Sequence, residues 1–300
     1  MAAQLTPRLL KVQRSPSSQL RDYYELTKPE VNLLVVIATA AGYLLASSGS
    51  LNWERLIYVL SGTLLVASGT ATLNQVVEKV HDARMRRTAK RPLPAGRLRS
   101  WEATVFGILL SIVGTVELFV LVNWESSSLA LATLLSYLFI YTPLKRRTAL
   151  CTLLGAIPGA MPILIGWTGA SASINLQAAL LFAILFLWQF PHFLSIALLY
   201  REDYERAGYR MLPQRDRDGR YTRAEIVGFT VLLTAVTLIC ASAQSRGVVS
   251  VLVMVCAGAF LLFHSARLAG NGSKIAAGRL LHASVIYLPV VFAVLIAQKY

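Results

Sequence analysis

The sequence has few charged residues and few cysteines. Charged residues make up 15% of the 300 residues, hydrophobic residues make up 55%, and the mean hydropathy is +0.56. Soluble domains carry roughly 25% charged residues, so this composition argues against a soluble enzyme. The low charge also excludes an intrinsically disordered chain. The three cysteines, Cys151, Cys240 and Cys256, lie in apolar segments without a CxxC spacing, which predicts buried small side chains and no disulfide framework.

The first residues lack the features of a cleaved leader. Met1–Arg21 contains no long apolar run and no small-residue cleavage pattern, so a removed signal peptide is not expected. We predict a flexible cytoplasmic tail over residues 1–25. No internal repeat is visible, which predicts a single membrane domain over residues 26–300.

Nine apolar segments are suited to crossing a membrane. A bilayer core about 30 Å thick needs roughly 20 apolar residues in a helix, and the backbone must satisfy its own hydrogen bonds there. The sequence therefore predicts an all-α, polytopic membrane helix bundle with nine transmembrane helices. The segments are Val31–Gly49, Leu56–Asn74, Trp101–Val122, Ser126–Tyr141, Thr148–Gly166, Leu176–Leu199, Ala224–Ala243, Val248–Leu268 and Arg279–Ala297.

Basic residues are concentrated on one side of these segments. Of the 29 Lys and Arg residues, 26 precede the first segment or lie in alternate connections, and the other side holds only Arg55, Arg246 and Lys299. Lys and Arg are enriched on the cytoplasmic side of membrane proteins. We therefore expect a cytoplasmic amino terminus, an external carboxy terminus and no nucleic-acid partner behind the net charge of +14.

An acidic pattern follows the second segment. Asn74, Glu78 and Asp82 recur every four residues, so a helix would place them on one face. Two carboxylates and an amide oxygen suit Mg²⁺, which keeps substrate phosphate among its ligands. We interpret the three as metal ligands, and the alternative is a helix end with solvated acids.

Cationic side chains surround this pattern. Arg87, Lys90 and Arg91 follow it directly, and Lys145 and Arg146 lie in the short loop after the fourth segment. A divalent metal beside Arg and Lys is what a diphosphate needs in order to bind and to leave. We assign these residues catalytic roles, with positive-inside topology as the alternative explanation.

A second mixed stretch, residues 200–213, follows the sixth segment. It includes Glu202 and Asp203, and Asp203 is a candidate for holding a second metal ion and for assisting catalysis. A solvated connector is the alternative interpretation of the same stretch.

Several motifs in chain order resemble the UbiA superfamily of intramembrane prenyltransferases, and in particular its haem-farnesylating members. The acidic pattern with Arg91-Pro92 corresponds to the superfamily's first acidic motif. The further segments are Leu26-Thr27-Lys28-Pro29, Arg91-Pro92-Leu93-Pro94, Tyr141-Thr142 with Lys145-Arg146, Gly166-Trp167, Pro191-His192-Phe193, Asp203-Tyr204 and Met211-Leu212-Pro213.

The resemblance implies a fold and a reaction. The fold is a nine-helix bundle with a central cavity open to the cytoplasm and the lipid. The reaction is transfer of the farnesyl group of farnesyl diphosphate to a vinyl group of haem b, with Mg²⁺-dependent ionisation of the diphosphate and addition of water. The implied recipient of the farnesylated haem is a haem A synthase or a terminal oxidase assembly. The implied location of the protein is a bacterial plasma membrane.

Three residues are candidates for binding haem or the reacting cation. His192 lies inside the sixth segment, and an imidazole at membrane depth can ligate haem iron. His282 is the second candidate ligand. The aromatic face of Tyr141 can stabilise an allylic cation, although tyrosine is also common at membrane interfaces.

Two other functions fit parts of the pattern. A prenyltransferase acting on a quinone precursor or a chlorophyll-type acceptor would keep the acidic motif, but it would not require Pro191-His192-Phe193. A secondary transporter would show repeated halves and charges near the midplane, whereas the carboxylates and cations here cluster at one membrane mouth.

Overall fold

The fold is an all-helical bundle. A computed structural model describes residues 16–170, 173–244 and 247–300, and within these ranges there are nine helices long and apolar enough to span a membrane and no strand. The predicted fold class is thereby confirmed. The spanning helices are α2 (Pro29–Ala46), α3 (Trp53–Asp82), α4 (Ser100–Leu121), α5 (Trp124–Ser136), α7 (Cys151–Ala170), α8 (Leu176–Leu199), α11 (Arg220–Gln244), α12 (Val248–Asn271) and α13 (Lys274–Lys299).

Four shorter helices complete the described chain. Helix α1 (Pro16–Leu26) precedes the first span, and α9 (Arg201–Arg206) and α10 (Leu212–Arg215) lie between α8 and α11. Helix α5 continues through a π-helical turn, Tyr137–Tyr141, into α6 (Thr142–Leu144), so that the fourth span runs to residue 144. π-helical turns are rare in proteins overall, and those that do occur are frequently found at functional sites.

The structure adds one helix that the sequence did not predict and corrects the length of one span. Residues 1–15 of the predicted tail lie outside the described chain, and Pro16–Leu26 forms α1, whose last residue Leu26 is buried with Leu93 and Leu98 in one apolar cluster. The second span is longer than predicted. Helix α3 has 30 residues, about 45 Å at 1.5 Å per residue, so it continues beyond the apolar run to Asp82.

Helix α7 lies at the centre of the bundle. It is buried along most of its length, and Ala156, Ala160 and Ile163 belong to the largest apolar cluster together with residues of α2, α8, α11 and α13. Helices α4 and α12 instead expose many large apolar side chains, including Phe119 and Phe263. This distribution is expected of a bundle whose outer surface faces lipid.

Helices α3 and α4 pack at nearly backbone-to-backbone distance. A Cβ atom built on Gly69 would lie 2.6 Å from the carbonyl oxygen of Gly107, and one on Gly114 would lie 2.6 Å from that of Gly62. Only glycine permits this approach, which increases van der Waals contact between helices that share no hydrophobic driving force in lipid. The packing holds α3, and with it the acidic pattern, firmly against α4.

The connections at one end of the bundle pack into a single layer. Met85, from the connection between α3 and α4, is buried against Ala207, Tyr209 and Met211, from the connection between α8 and α11, and against Cys151 at the start of α7. We call this end the loop end. It brings together connections far apart in sequence, and the polar groups around the end of α3 lie there.

Candidate active site

Three polar side chains of α3 face the bundle interior at the loop end. Asn74, Glu78 and Asp82 belong to one continuous helix and are all buried. The predicted shared face is confirmed. A buried carboxylate requires hydrogen-bonding or charged partners, and the structure supplies them from three other parts of the chain.

Glu78 is the most highly connected of the three. Its Oε1 accepts hydrogen bonds from Lys145 Nζ and from the Tyr209 hydroxyl, each at 2.9 Å, and its Oε2 accepts one from Asn74 Nδ2 at 2.8 Å. The Asn74 amide is fixed on its other side, because its Oδ1 accepts from Thr142 Oγ1 at 2.9 Å. The end of the fourth span at α6 and the connection after α9 thus meet α3 at one carboxylate.

The charge states of the two partners follow from their surroundings. Burial alone would lower the pKa of Lys145, but the Glu78 carboxylate and the nearby tyrosines hold it well above its usual value. Burial and then the Glu78 charge raise the pKa of Tyr209 far above the usual value for a phenol. Lys145 is therefore an ammonium and Tyr209 a neutral hydroxyl donor at neutral pH.

Asp82 forms the second ion pair of the α3 face. Its Oδ2 lies 2.9 Å from Arg91 Nη1, and its backbone carbonyl accepts a hydrogen bond from the Thr88 hydroxyl at 2.8 Å. The turn after α3 therefore folds back on the end of the helix. We call Asn74, Glu78, Asp82, Arg91 and Lys145 the polar centre.

Asp203 has different partners. Its carboxylate accepts hydrogen bonds from the backbone N–H groups of Arg86 and Arg87, both at 3.3 Å, and pairs with Arg206. Burial alone would raise the pKa of Asp203, and these donors together lower it. The carboxylate thus fixes the turn that follows α3.

The remaining predicted cations lie at the rim of the loop end. The Arg87 guanidinium lies over the Tyr200 ring, 4.9 Å from its centroid, and Lys90 is exposed. Arg146 donates to His81 Nε2 at 3.1 Å, while His81 Nδ1 lies 2.9 Å from the Ala207 carbonyl oxygen. This chain of contacts joins the connection after α6 to the connection after α9.

His192 belongs to a separate cluster deeper in the bundle. Its Nδ1 lies 2.9 Å from Ser284 Oγ, and its ring stacks on Trp188 with centroids 4.5 Å apart. Trp188 Nε1 donates to the Ser284 carbonyl oxygen at 2.7 Å, so α8 and α13 are joined twice at this level. His282 is exposed, with its Nδ1 2.7 Å from the Gly278 carbonyl oxygen, and the structure does not bring it to this cluster.

Tyr141 lies in the π-helical turn beside the polar centre. Its ring contacts the backbone of α7 at Gly155, where any side chain would collide with it. The Lys145 ammonium lies 4.5 Å from the ring centroid, and the Tyr137 ring stands edge-on at 5.0 Å. The aromatic face therefore already stabilises a cation.

Sequence reasoning assigned no site role to three residues that contact the polar centre, Tyr209, Thr142 and Thr88. Tyr209 follows Gly208, whose φ of +77° makes the turn that directs the chain back toward α3. A glycine before an aromatic residue was the only signal in the sequence. Thr142 stands in the Tyr141-Thr142 motif, but nothing in the local sequence indicates its contact with Asn74, which is 68 positions away.

The donor set of the polar centre is suited to Mg²⁺. Among the described residues no three His, Cys, Asp or Glu side chains converge as ligands, so Asp203 does not join Glu78 and Asp82. Mg²⁺ is commonly held by one or two carboxylates, with water and substrate phosphates completing its octahedron. The two carboxylates of α3 meet that requirement.

Comparison with known proteins gives consistent results. Residues 35–286 match the UbiA prenyltransferase family. A protoheme IX farnesyltransferase of Solibacter usitatus is 44% identical over 289 residues, covering 93% of this chain and 99% of that protein. Its counterpart in Salinibacter ruber is 41% identical over 279 residues, with the same two coverages.

Solved structures share the fold. A digeranylgeranylglyceryl phosphate synthase superimposes with a TM-score of 0.76 at 19% identity, covering 94% of this chain and 98% of that one. A UbiA homolog from Archaeoglobus fulgidus, bound to GPP and Mg²⁺, superimposes with a TM-score of 0.65 at 13% identity, covering 91% and 99%.

The fold and its polar centre define a multi-pass membrane protein with a buried, charged centre at one end of the bundle. The chain belongs to the UbiA prenyltransferase family, and it is therefore an intramembrane prenyltransferase.

Proposed function

We propose that this chain transfers the farnesyl group of farnesyl diphosphate to a vinyl group of haem b, producing haem O. The observation that carries the proposal is the polar centre, in which two buried carboxylates are held among cations at the loop end. The identity of 44% to a protoheme IX farnesyltransferase over nearly the whole chain supports haem as the acceptor.

The chemistry requires a diphosphate to leave as an anion. The bond between C1 of the farnesyl group and the diphosphate oxygen breaks, and the electron pair departs with the oxygen. Lys145 and Arg91, which already meet at the α3 face, would neutralise the charge that grows on the leaving group. Arg87, Lys90 and Arg146 would attract the anion at the rim.

Glu78 and Asp82 would hold Mg²⁺, with Asn74 fixing the orientation of Glu78 through its amide. The ion supplies electrophilic stabilisation of the diphosphate. Asp203 is the candidate for a second ion, and its contacts with Arg86 and Arg87 give it the further role of fixing the cationic turn.

The farnesyl cation would form among apolar helices that exclude water, next to the aromatic face of Tyr141. Electrons of the vinyl double bond form the new carbon–carbon bond, and water then adds to the adjacent carbon and loses a proton. His192 would ligate the haem iron or orient the porphyrin, with Ser284 holding its Nδ1. His282 is the alternative ligand.

We place the loop end in the cytoplasm, because the connections on that side carry most of the basic residues. This orientation puts the amino terminus inside and suits the plasma membrane of a bacterium. Haem O would pass to a haem A synthase or to a terminal oxidase assembly.

The decisive experiment is a product assay. Purified protein in detergent receives haem b, farnesyl diphosphate and Mg²⁺, and the extracted haems are separated and weighed by mass spectrometry. We expect a product with the mass of hydroxyethylfarnesyl haem. Prenylation of an added quinone precursor in place of haem would refute the acceptor while leaving the family chemistry intact.

Matched variants test the assignment of the polar centre. Asp82→Asn should reduce the rate on the order of 10²–10³-fold, the usual effect of removing one preorganised charged group. Glu202→Gln removes an acid that pairs with Lys274 at the exposed rim, and it should leave the rate unchanged. Equal rates for the two variants would contradict the assignment.

A further inference from the structure

One residue adopts a backbone conformation that is unfavourable for its side chain. Six of the described residues have a positive φ; five are glycines, and the sixth is Lys28, with φ 50° and ψ 62°. A left-handed conformation costs a residue with a Cβ roughly 1–2 kcal/mol. Glycine would occupy this position without that penalty, so the lysine side chain must contribute something that compensates.

The turn that carries Lys28 is tied to the helix of the polar centre. Gln75 Nε2, next to Asn74 on α3, donates to the Leu26 carbonyl oxygen at 2.7 Å. Asn32 Nδ2 donates to the Thr27 carbonyl oxygen at 2.7 Å and to Ser68 Oγ, also on α3, at 3.0 Å. The backbone just before Lys28 is thus bonded to α3 by Gln75, and the Asn32 side chain after it connects the same turn to Ser68.

The Lys28 ammonium lies in the field of the polar centre. The charges that act on it are those of Arg91, Glu78, Lys145 and Asp82, and burial, followed by repulsion from Arg91, lowers the pKa of Lys28 to about 8. Among the described residues no acid pairs with it, because Glu78 is paired with Lys145 and Asp82 with Arg91.

The polar centre with Lys28 therefore has an excess of one positive charge. Two carboxylates face three cations, and a partly buried, unpaired cation is unfavourable unless an anion joins it. A magnesium-bound diphosphate retains negative charge and would neutralise that excess.

We propose that Lys28 binds the diphosphate of the prenyl donor, as a third cation beside Lys145 and Arg91. The inference rests on the proposed function and extends it to the turn before the first span. Lys28 adopts its left-handed conformation in the turn that hydrogen bonds tie to α3, and Pro29, with its fixed φ, begins α2 immediately after it.

The test measures binding of inorganic diphosphate, with Mg²⁺ present, to the purified full chain by calorimetry, together with the thermal unfolding midpoint. Lys28→Met should weaken binding about 10- to 100-fold, the range for one hydrogen bond to a charged group. Lys28→Arg keeps the charge and should stay within a few-fold of the original affinity.

Lys28→Gly separates binding from stability. It removes the ammonium and also relieves the left-handed penalty, so the midpoint should stay equal or rise while the diphosphate affinity falls as in Lys28→Met. The control is Lys79→Met. Lys79 follows Glu78 on α3, but its ammonium donates a hydrogen bond to Ser100 Oγ and not to a residue of the polar centre. The control should bind diphosphate with the original affinity.

The outcomes distinguish the two proposals. If Lys28→Met or Lys28→Gly binds diphosphate with the original affinity, the proposed role of Lys28 alone is overturned. The same holds if Lys28→Gly does not fold, because the lysine side chain would then be required for folding. An unmodified chain that binds no diphosphate overturns the proposed function, and this inference with it.

Discussion

The ion pair between Glu78 and Lys145 allows a quantitative prediction about stability and activity together. The two side chains retain only 9% and 11% of their exposure, and their charged atoms lie 2.9 Å apart. Removing one partner of a buried pair costs about 3–5 kcal/mol, because the other charge is left buried and unpaired. Since Lys145 keeps slight exposure, we expect Glu78→Gln to lower the free energy of unfolding by about 3 kcal/mol.

A double substitution separates the two effects. Glu78→Gln combined with Lys145→Met removes both charges, so most of the lost stability should return. Activity should not return, because the double variant lacks both a proposed magnesium ligand and a cation for the leaving group. Farnesyl transfer should fall on the order of 10²–10³-fold in the single variant and at least as far in the double variant.

The measurement is reversible unfolding in mixed micelles with increasing sodium dodecyl sulfate, followed by circular dichroism. The matched control is Glu202→Gln, which breaks the pair with Lys274, whose partners keep 69% and 63% exposure. An exposed pair contributes at most about 1 kcal/mol. The reasoning is refuted if the double variant is no more stable than Glu78→Gln alone, or if the control loses as much stability.

Three further predictions concern other parts of the molecule. Asp203→Asn should raise the KM for farnesyl diphosphate more than it lowers kcat, because it loosens the turn at Arg86 and Arg87; steady-state kinetics with both substrates check this, and an unchanged KM contradicts it. His192→Ala should abolish the absorbance change on adding haem, and Ser284→Ala should only weaken haem binding, since it frees one ring nitrogen; equal titrations contradict the haem-ligand assignment. Gly69→Val should lower the free energy of unfolding by roughly 1–3 kcal/mol or more through overpacking, because its Cβ would lie 2.6 Å from the Gly107 carbonyl oxygen; a stable variant refutes the close α3–α4 packing.

The sequence predicted those features that depend on local pattern. Continuous apolar runs identify the spanning helices, because the bilayer imposes the same length requirement on each. The four-residue spacing of Asn74, Glu78 and Asp82 identifies a shared face, because helix geometry alone determines it. The carboxy-terminal end of α3 was harder to predict from the sequence, because hydropathy shows where a helix leaves the apolar layer and not where the helix ends.

The sequence predicted cations near the acidic residues, but not which cation pairs with which carboxylate, nor the contact of Tyr209 with Glu78. The separation in sequence is 67 positions between Glu78 and Lys145, and 131 between Glu78 and Tyr209. Such pairs depend on the three-dimensional packing of connections, about which local periodicity contains no information. Helix α1 was not predicted either, because the burial of its last residue, Leu26, depends on Leu93 and Leu98, which follow two helices later.

The glycine contacts between α3 and α4 have a consequence for how the protein is made. Gly62 and Gly69 are seven residues apart, as are Gly107 and Gly114 on the facing helix. A seven-residue spacing keeps two helices in register along a shallow left-handed supercoil. The two spans adjacent in sequence can therefore pair along their length as soon as both have entered the bilayer. A hairpin of α3 and α4, which carries Asn74, Glu78 and Asp82, can therefore form before α7 and α8 are synthesised.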